Sequence, residues 1–577
     1  MIEDFVFALK YARYNEKEKR RESWSEAVDR YMGMIEDKYP LADTSDIRAA
    51  MDLKRVLPSM RGLQFGGAGV QRKNMRIYNC TSTYIDRPRA FAEAYWLLLC
   101  GSGVGYSVQS HHVAQLPKIT PPKLPSYAHV IEDSIEGWAD ALDALINGFM
   151  CGGSLPLYDY SLIREEGEPL SVGGKAPGYH PLKTALDAVK NVLVGAISRR
   201  LKPVEAFDIL CHIANSTVTA GTRRSATIAQ FSADDEEMMT AKTGDWFTSN
   251  PQRARANISA VILPDTPREV FDRLIIATRE YGEPAFLFLK STEHTVNPCV
   301  EIGMCPVLIQ KDGETVEAYS LDLIDPKNRV KWIVKGYTFE SGWQACNLST
   351  VNVSACESGE ELIEAAYYAG VIGTWQAGFT ETGYLGAVSQ KILERESLIG
   401  VSLCGVMDRP EICDALSLKA AAAAVKGANL FTSNLLNIPV ASRTTCIKPE
   451  GTASLVLGSS SGIHPAHAKR YLRRVQGSKH EAVFNHFAQH NPHAIEPSVW
   501  GSDYCAVFAM ESPKGAITKD DLTALELLEQ VRRIKSAWVD TGNQVVRVEG
   551  CSHNISLTCQ VGADEWEEVR DYLWQYH

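Results

Sequence analysis

Short apolar runs alternate with amphipathic helical stretches along most of the chain, from about residue 78 onward. The clearest helical stretches are residues 182–193, 203–213 and 267–281, where apolar side chains recur at the spacing of one helix face. Regular alternation of strands and helices is typical of α/β proteins that contain much parallel sheet. The sequence therefore predicts an α/β fold whose elements are connected by loops rich in Gly and Pro.

The first 75 residues have a different pattern. Charged residues surround Trp24, Val28 and Tyr31 at helical spacing. This pattern predicts an N-terminal helical domain over residues 1–75, followed by the α/β domain over residues 76–577.

Charge and hydropathy exclude several classes of protein. The formal net charge is -11 at pH 7 and the pI is about 5.8, so we expect no DNA partner. The N-terminus lacks the apolar core of a signal peptide, and no apolar run reaches the length of a membrane span. We therefore expect a cytoplasmic protein, from a bacterium or a phage-infected host cell, with no membrane partner.

The chain has 14 cysteines, but no two of them form a C-x-x-C pair. A zinc ribbon or a thioredoxin-type motif is therefore unsupported. Cys299 and Cys305 have no matching His or Cys pair nearby. The sequence predicts no metal ligands.

The segment Asn297-Pro298-Cys299-Val300-Glu301 places an amide, a thiol and a carboxylate at alternate positions. In an extended backbone these three side chains would point to one side. A carboxylate raises the pKa of a nearby thiol, which favours hydrogen-atom chemistry at sulfur over thiolate attack, with Glu301 as a separate general base. On these residues alone, a loop with a buried cysteine and a solvated glutamate remains the alternative.

Two further segments contain cysteine beside asparagine: Tyr78-Asn79-Cys80-Thr81-Ser82 and Ala345-Cys346-Asn347-Leu348. Together with the segment around Cys299 they resemble ribonucleotide reductase, most of all the adenosylcobalamin-dependent class II enzymes of the monomeric triphosphate-reductase type and their phage relatives. The other matching segments are residues 20–24, 58–61, 221–226 and 448–452. The resemblance runs from about residue 20 to the C-terminus.

The resemblance implies a ten-stranded α/β barrel with a central finger loop that carries Cys299 at its tip. It implies that Cys299 becomes a thiyl radical and removes the ribose 3′-hydrogen. Glu301 would take the 3′-hydroxyl proton, and Asn297 would hold the substrate hydroxyls. Cys80 and Cys346 would supply two electrons and end as a disulfide, which a thioredoxin-like protein or a small dithiol would reduce.

The segment from Lys448 to Ser454 lacks the G-K-[ST] of a Walker A loop. Its glycine and hydroxyl residues, at the start of a helix, could bind a phosphate or could form an ordinary helix cap. The resemblance implies a loop for the substrate phosphates. The expected substrate-binding residues are Ser59, Asn79, Thr81, Gly451, Thr452, Ala453 and Ser454.

Residues 221–225 place Arg223 and Arg224 beside a glycine and a hydroxyl. The pattern alone fits a solvated loop equally well. The resemblance implies a specificity loop that responds to a dNTP or ATP effector. The glycines of residues 101–105 are interpreted as sites of close backbone packing around the active site.

Three expectations concern the ends of the chain and the radical source. We expect no ATP- and dATP-binding activity-control domain at the N-terminus. The last barrel strand and the redox tail of the family are not evident before His577, so we expect little turnover by this chain alone and a possible C-terminal fragment as partner. The expected cofactor is adenosylcobalamin. The alternatives are a class I-like subunit that depends on a radical-generating metal subunit, and an inactive nucleotide-binding fragment.

Overall fold

The computed structural model describes residues 1–168, 176–217, 226–478, 481–498 and 503–576. The N-terminal segment is mainly helical. Its helix α2 begins at a capping box, because the Ser23 hydroxyl accepts from the backbone of Glu26 while the Glu26 carboxylate accepts from the backbone of Ser23. The elements are α1 (Ile2–Lys10), β1 (Tyr14–Asn15), β2 (Arg20–Arg21), α2 (Trp24–Lys38), α3 (Ser45–Asp52), β3 (Val56–Leu57), α4 (Met60–Phe65) and α5 (Ala68–Arg72).

The next part of the chain builds a parallel sheet. Five strands lie side by side in the order β10-β9-β8-β5-β4, and helices connect most of them. The elements are β4 (Cys80–Tyr84), α6 (Arg89–Cys100), β5 (Gly103–Ser107), α7 (Ser110–Val113), β6 (Lys123–Val130), α8 (Ile135–Met150), β7 (Ser154–Asp159), α9 (His180–Gly195), α10 (Pro203–Ser216), β8 (Thr227–Ser232), α11 (Glu236–Met239), α12 (Trp246–Ser249), β9 (Ala256–Ile262), α13 (Arg268–Tyr281) and β10 (Ala285–Phe288).

A short antiparallel hairpin follows, and we call residues 295–304 the finger loop. Its strands pair Thr295 with Met304 and Val296 with Gly303. The finger loop packs closely on β5, since a Cβ at Gly105 would lie 2.5 Å from the carbonyl oxygen of Val296. The elements of this part are β11 (Thr295–Val296), β12 (Gly303–Met304), β13 (Val307–Lys311), β14 (Glu314–Thr315), α14 (Leu321–Ile324), α15 (Arg329–Ile333) and β15 (Tyr337–Ser341).

Beyond the finger loop, the chain rejoins the first sheet in the opposite direction. Strand β16 pairs antiparallel with β4, and β17 pairs parallel with β18 and antiparallel with β3. The elements are β16 (Gln344–Cys346), β17 (Leu348–Asn352), α16 (Gly359–Ala377), α17 (Gly386–Glu396), β18 (Gly400–Cys404), α18 (Ala415–Leu436), α19 (Ala453–Leu457), β19 (Arg470–Gly477), α20 (Ala482–His490), β20 (Ile495–Pro497), β21 (Tyr504–Glu511), α21 (Ala524–Ile534) and α22 (Trp566–Gln575).

Two isolated parallel bridges extend the sheet of β17 and β18. Val401 of β18 bridges Thr445, and Ile447 bridges Ile555. Within the described residues, four extended segments therefore lie beside the five parallel strands described first. They are the continuous stretch of β16 and β17, strand β18, the segment of Thr445 and Ile447, and the segment of Ile555. The α/β prediction is confirmed, and the finger loop lies where these two groups of strands meet.

The N-terminal segment is not packed separately from the rest. Strand β3 belongs to the sheet of β17 and β18, and buried side chains of α1 and α2 join the large core that also includes those of α16 and α18. The domain boundary at residue 75 therefore stays a prediction. Among the described residues, no helix is both long enough and apolar enough to cross a membrane.

Candidate active site

The tip of the finger loop is a tight turn. The backbone N–H of Val300 donates to the carbonyl oxygen of Asn297 at 2.8 Å, and the φ angle of Val300 is +72°. The expected extended backbone is therefore wrong at this point. The turn still brings the two flanking side chains together, because Asn297 Nδ2 donates to Glu301 Oε1 at 2.9 Å. Asn297 Oδ1 in turn accepts from the backbone N–H of Ile302 at 3.0 Å, which fixes the amide.

Three thiols meet beside this turn. Cys80 and Cys346 are directly opposite each other on antiparallel strands, and the Cys80 backbone N–H lies 3.1 Å from Cys346 Sγ. Such opposed residues have Cα atoms about 4.5–5.5 Å apart, which is within the range that a disulfide can bridge. Cys299 packs against the small buried cluster that contains Cys80 and Cys346. All three thiols are free.

All three thiols stay protonated. The neighbouring Cys80 thiol and burial raise the pKa of Cys299 well above its ordinary value of 9.0. At Cys80 the neighbouring Cys299 thiol lowers the pKa, but the Cys346 thiol, together with burial, outweighs it and raises the pKa. Burial also raises the pKa of Cys346. Neutral thiols can exchange hydrogen atoms but are poor thiolate nucleophiles.

Glu301 is fully buried, and one of its two carboxylate oxygens has no hydrogen-bond partner. Burial raises its pKa from 4.5 to about 7, although its backbone and the Asn297 amide act in the opposite direction. Its second oxygen, Oε2, has no hydrogen-bond partner. A carboxylate with a pKa near 7 and a free buried oxygen is suited to accept a proton from a bound molecule.

A buried ion pair lies next to these groups. Lys448 Nζ is 3.2 Å from Glu450 Oε2, and both residues are buried. The Lys448 charge acts on Glu301 and Cys299, lowering the pKa of each. The sequence pattern indicates residues 451–454 of this segment as ligand-binding residues but gives no sign that Lys448 and Glu450 are buried together.

The expected phosphate loop lies immediately after this pair. Gly451 is exposed, Thr452 precedes helix α19, and Ala453 and Ser454 are buried at the beginning of that helix. The Ser454 hydroxyl is 3.0 Å from that of Ser461. Gly451 and Thr452 are therefore the residues of this set that a ligand could reach most directly.

Two residues of the N-terminal segment also reach this region. Burial raises the pKa of Tyr11 to about 12, although the Arg61 charge and the neighbouring Thr452 act against this rise, and the charge of Arg61 also interacts with Cys80. Arg61 belongs to a matching segment of the sequence, whereas no pattern marked Tyr11.

The remaining expected substrate-binding residues differ in whether their polar side-chain atoms already have hydrogen-bond partners within the protein. Asn79 Oδ1 is buried without a hydrogen-bond partner. The Ser59 hydroxyl caps helix α4 and donates to the Ile77 carbonyl oxygen at 2.8 Å, and the Thr81 hydroxyl donates to that of Gly103 at 3.2 Å. Asn79 thus has capacity for a ligand, while the two hydroxyls already serve the fold. Arg223 and Arg224 lie outside the described residues.

No protein-family model matches the chain. It is 25% identical over 443 residues to a probable adenosylcobalamin-dependent ribonucleoside-triphosphate reductase of Dictyostelium discoideum, covering 72% of this chain and 52% of the relative. It is 25% identical over 522 residues to an adenosylcobalamin-dependent ribonucleoside-triphosphate reductase of Euglena gracilis, covering 85% and 65%. The chain therefore spans about half to two thirds of the length of these relatives.

A solved structure has the same fold. The crystal structure of a B-12 dependent (class II) ribonucleotide reductase superposes with a TM-score of 0.78, covers 99% of this chain and 89% of its own, and shares 18% identity. The predicted resemblance and the predicted fold class are therefore confirmed.

Proposed function

We propose that this chain, which resembles adenosylcobalamin-dependent ribonucleotide reductases and has the class II fold, reduces ribonucleotides to 2′-deoxyribonucleotides through a thiyl radical at Cys299. One observation carries the proposal: Cys299, at the tip of the finger loop, packs against the small cluster that contains Cys80 and Cys346, which lie opposite each other on paired strands. This arrangement combines a hydrogen-abstracting group with a two-electron reductant.

Each group has one task in the proposed reaction. The Cys299 sulfur radical removes the 3′-hydrogen atom of the ribose, and Glu301 accepts the 3′-hydroxyl proton. Asn297, which is fixed by its bond to the Ile302 N–H, orients the substrate hydroxyls.

The dithiol completes the stoichiometry. The 2′-hydroxyl leaves as water, and Cys80 and Cys346 together give up two hydrogen atoms and become a disulfide. The 3′-hydrogen returns from Cys299, so its radical is regenerated. Each turnover therefore consumes two thiols and yields one deoxynucleotide, one water and one disulfide.

The pKa values of the thiols and of Glu301 support these separate roles. The high thiol pKa values keep sulfur in the neutral form that hydrogen-atom transfer requires. The pKa of Glu301, near 7, lets it hold or release a proton at neutral pH. The nearby Lys448 charge favours the ionised, proton-accepting form.

Adenosylcobalamin fits the partly exposed Cys299 thiol, and when bound it supplies the unpaired electron. Cys80 and Cys346 are buried, so Cys299 is the thiol of the three that a group outside the barrel can reach. The relatives' names favour this cofactor over a separate metal-containing radical subunit. The chain contains all five residues to which the proposed reaction gives a role. We therefore favour an active enzyme over an inactive nucleotide-binding fragment.

The relatives' names also favour ribonucleoside triphosphates as substrates. We propose that the residues after Glu450 bind the phosphates, that a dNTP or ATP effector acts through the loop of Arg223 and Arg224, and that a thioredoxin-like protein or small dithiol restores the thiols. This reaction would supply DNA precursors in the cytoplasm.

The test is reduction of a radiolabelled ribonucleoside triphosphate by the chain, with and without adenosylcobalamin. We expect cofactor-dependent deoxynucleotide formation that Cys299→Ser abolishes and Cys151→Ser, at an exposed thiol, leaves intact. Product from Cys299→Ser, or the lack of even one turnover by the unmodified chain with adenosylcobalamin, would contradict the proposal.

A further inference from the structure

A second cluster of reactive side chains lies at the base of the finger loop. His111 and His112 follow strand β5, and Glu293 precedes β11. His111 Nε2 and His112 Nε2 lie 2.9 Å and 3.1 Å from the same oxygen, Glu293 Oε1. Among the described residues, this is the one group of three His, Cys, Asp or Glu whose ligand atoms all lie within 4.8 Å of one another.

The convergence of two adjacent histidines is unusual. Neighbouring residues of a helix project about 100° apart, yet both imidazoles of α7 turn toward one carboxylate oxygen, with ring centroids 3.9 Å apart. His112 is held from two sides, because its Nδ1 is 2.9 Å from the Ser107 hydroxyl and the Tyr84 ring stacks on it at 4.1 Å. A partner on Nδ1 fixes the tautomer and directs Nε2 at the cluster, as the outer partners of metal-binding histidines do.

The backbone of Glu293 is also held. The Tyr84 hydroxyl donates to the Glu293 carbonyl oxygen at 2.5 Å. Tyr84 therefore contacts both His112, through ring stacking, and the backbone of Glu293. These contacts fix the positions of the cluster's side chains.

We propose that His111, His112 and Glu293 form a site for a divalent transition-metal ion, best matched by Zn²⁺. A tetrahedral Zn²⁺ with ligands at about 2.0–2.1 Å separates its ligand atoms by roughly 3.3 Å, so the observed separations of 2.9 Å and 3.1 Å need to open only slightly. Three protein ligands leave one position for water. His111 is partly exposed, which provides a path for the ion.

The ion would link the end of β5 to the first strand of the finger loop. Cys299 lies at the tip of the same loop. The metal site would therefore hold the base of the finger loop in place, away from the thiols at its tip. Its role is therefore structural, and binding can be measured without nucleotide or adenosylcobalamin. Failure of this proposal leaves the proposed function untouched, and the converse also holds.

Arg329 opposes the ion and so provides a sharp control. Its Nη2 lies 3.3 Å from Glu293 Oε2, the oxygen that the histidines do not contact. A guanidinium so close repels a cation, so Arg329→Gln should tighten metal binding several-fold. A cluster held only by its own hydrogen bonds and ion pair would lose a partner in this variant and gain no affinity for metal.

The test is titration of the metal-free full chain with Zn²⁺ by calorimetry and with Co²⁺ by absorption spectroscopy. We expect about one ion per chain, with Co²⁺ bands that lack thiolate charge transfer. Glu293→Gln and His111→Ala should each weaken binding by more than about 100-fold, because loss of an outer partner alone costs about 10- to 100-fold. His486→Ala, at an exposed histidine pair with His490, is the matched control and should bind normally.

Three results would overturn the proposal: no stoichiometric binding, an affinity in Glu293→Gln and His111→Ala equal to that of the unmodified chain, or thiolate bands that disappear in Cys299→Ser. Circular dichroism of each variant establishes that it is folded. The tighter binding of Arg329→Gln keeps the proposal testable even if Glu293→Gln fails to fold.

Discussion

The backbone N–H of Cys80 lies 3.1 Å from the sulfur of Cys346, across two antiparallel strands whose residues are 266 positions apart in the chain. Cys299, at the tip of the finger loop, packs against the same cluster. The proposed reductant and the proposed radical site are thus neighbouring groups, so hydrogen atoms and electrons move between side chains that already pack together.

Without an external reductant, the chain should make about one deoxynucleotide and then stop. Cys80 and Cys346 lie directly opposite each other beside Cys299, so the product should match the loss of two thiols per chain. Quantification of product, free thiols and disulfide-linked peptides checks this. Cys80→Ser and Cys346→Ser should form no disulfide there, and a bridge between other cysteines would contradict the assignment.

Activity should depend on pH through Glu301. Its pKa is about 7, and only the ionised form accepts a proton, so kcat/KM should rise from pH 5 to 7 and level off above. Below the pKa we expect a fall of about tenfold per pH unit. Glu301→Gln should lose activity by about 10²–10⁴-fold and lose this acid limb. The same acid limb in the variant would show that another group titrates.

The same carboxylate should reduce stability at high pH. Its pKa is higher in the folded chain than the ordinary 4.5, so the folded state binds the proton more tightly and loses stability as pH rises from about 4.5 to 7. Glu301→Gln escapes this cost and should be more stable by up to about 3 kcal/mol at pH 8, with no difference near pH 4. Urea denaturation at both pH values measures the effect. A variant that is less stable at pH 8 would contradict the burial argument.

Gly103 should be intolerant of a side chain. A Cβ at this position would lie 3.0 Å from Cys80 Sγ and 3.2 Å from Pro298 Cγ, and so would push the dithiol and the finger loop apart. Gly103→Ala should cost about 1–3 kcal/mol of stability and about 10- to 100-fold in activity.

The matched control is Gly427 of helix α18, where a Cβ meets nothing within 4 Å. Gly427→Ala should be fully active and more stable by about 0.5–1 kcal/mol. Denaturation and the reduction assay compare the two variants. Equal activity in both would show that the spacing around Gly103 does not matter.

Local patterns in the sequence were sufficient for the α/β class and for the glycines beside the finger loop. The interpretation of residues 101–105 as close packing is confirmed by Gly103 and Gly105, which have backbone or thiol atoms where a Cβ would lie. The extended backbone expected at Asn297–Glu301 is wrong, because the positive φ of Val300 closes a turn there. A β-branched residue gives no signal for that conformation.

Long-range features could not be derived from local patterns. The pairing of Cys80 with Cys346 depends on strand register across the barrel, and only the resemblance to known enzymes suggested it. The buried Lys448–Glu450 pair looks like ordinary surface charge in the sequence, since charged residues are rarely buried. The cluster of His111, His112 and Glu293 joins residues about 180 positions apart and has no ligand spacing to reveal it.

The most direct test of the central claim is electron paramagnetic resonance of the chain, freeze-quenched after mixing with adenosylcobalamin and a ribonucleoside triphosphate. The account predicts a radical signal that changes when cysteine is deuterated at its β-carbon, that persists in Cys151→Ser and that is absent in Cys299→Ser. A signal insensitive to cysteine deuteration, or one retained in Cys299→Ser, would contradict the assignment of the radical to Cys299.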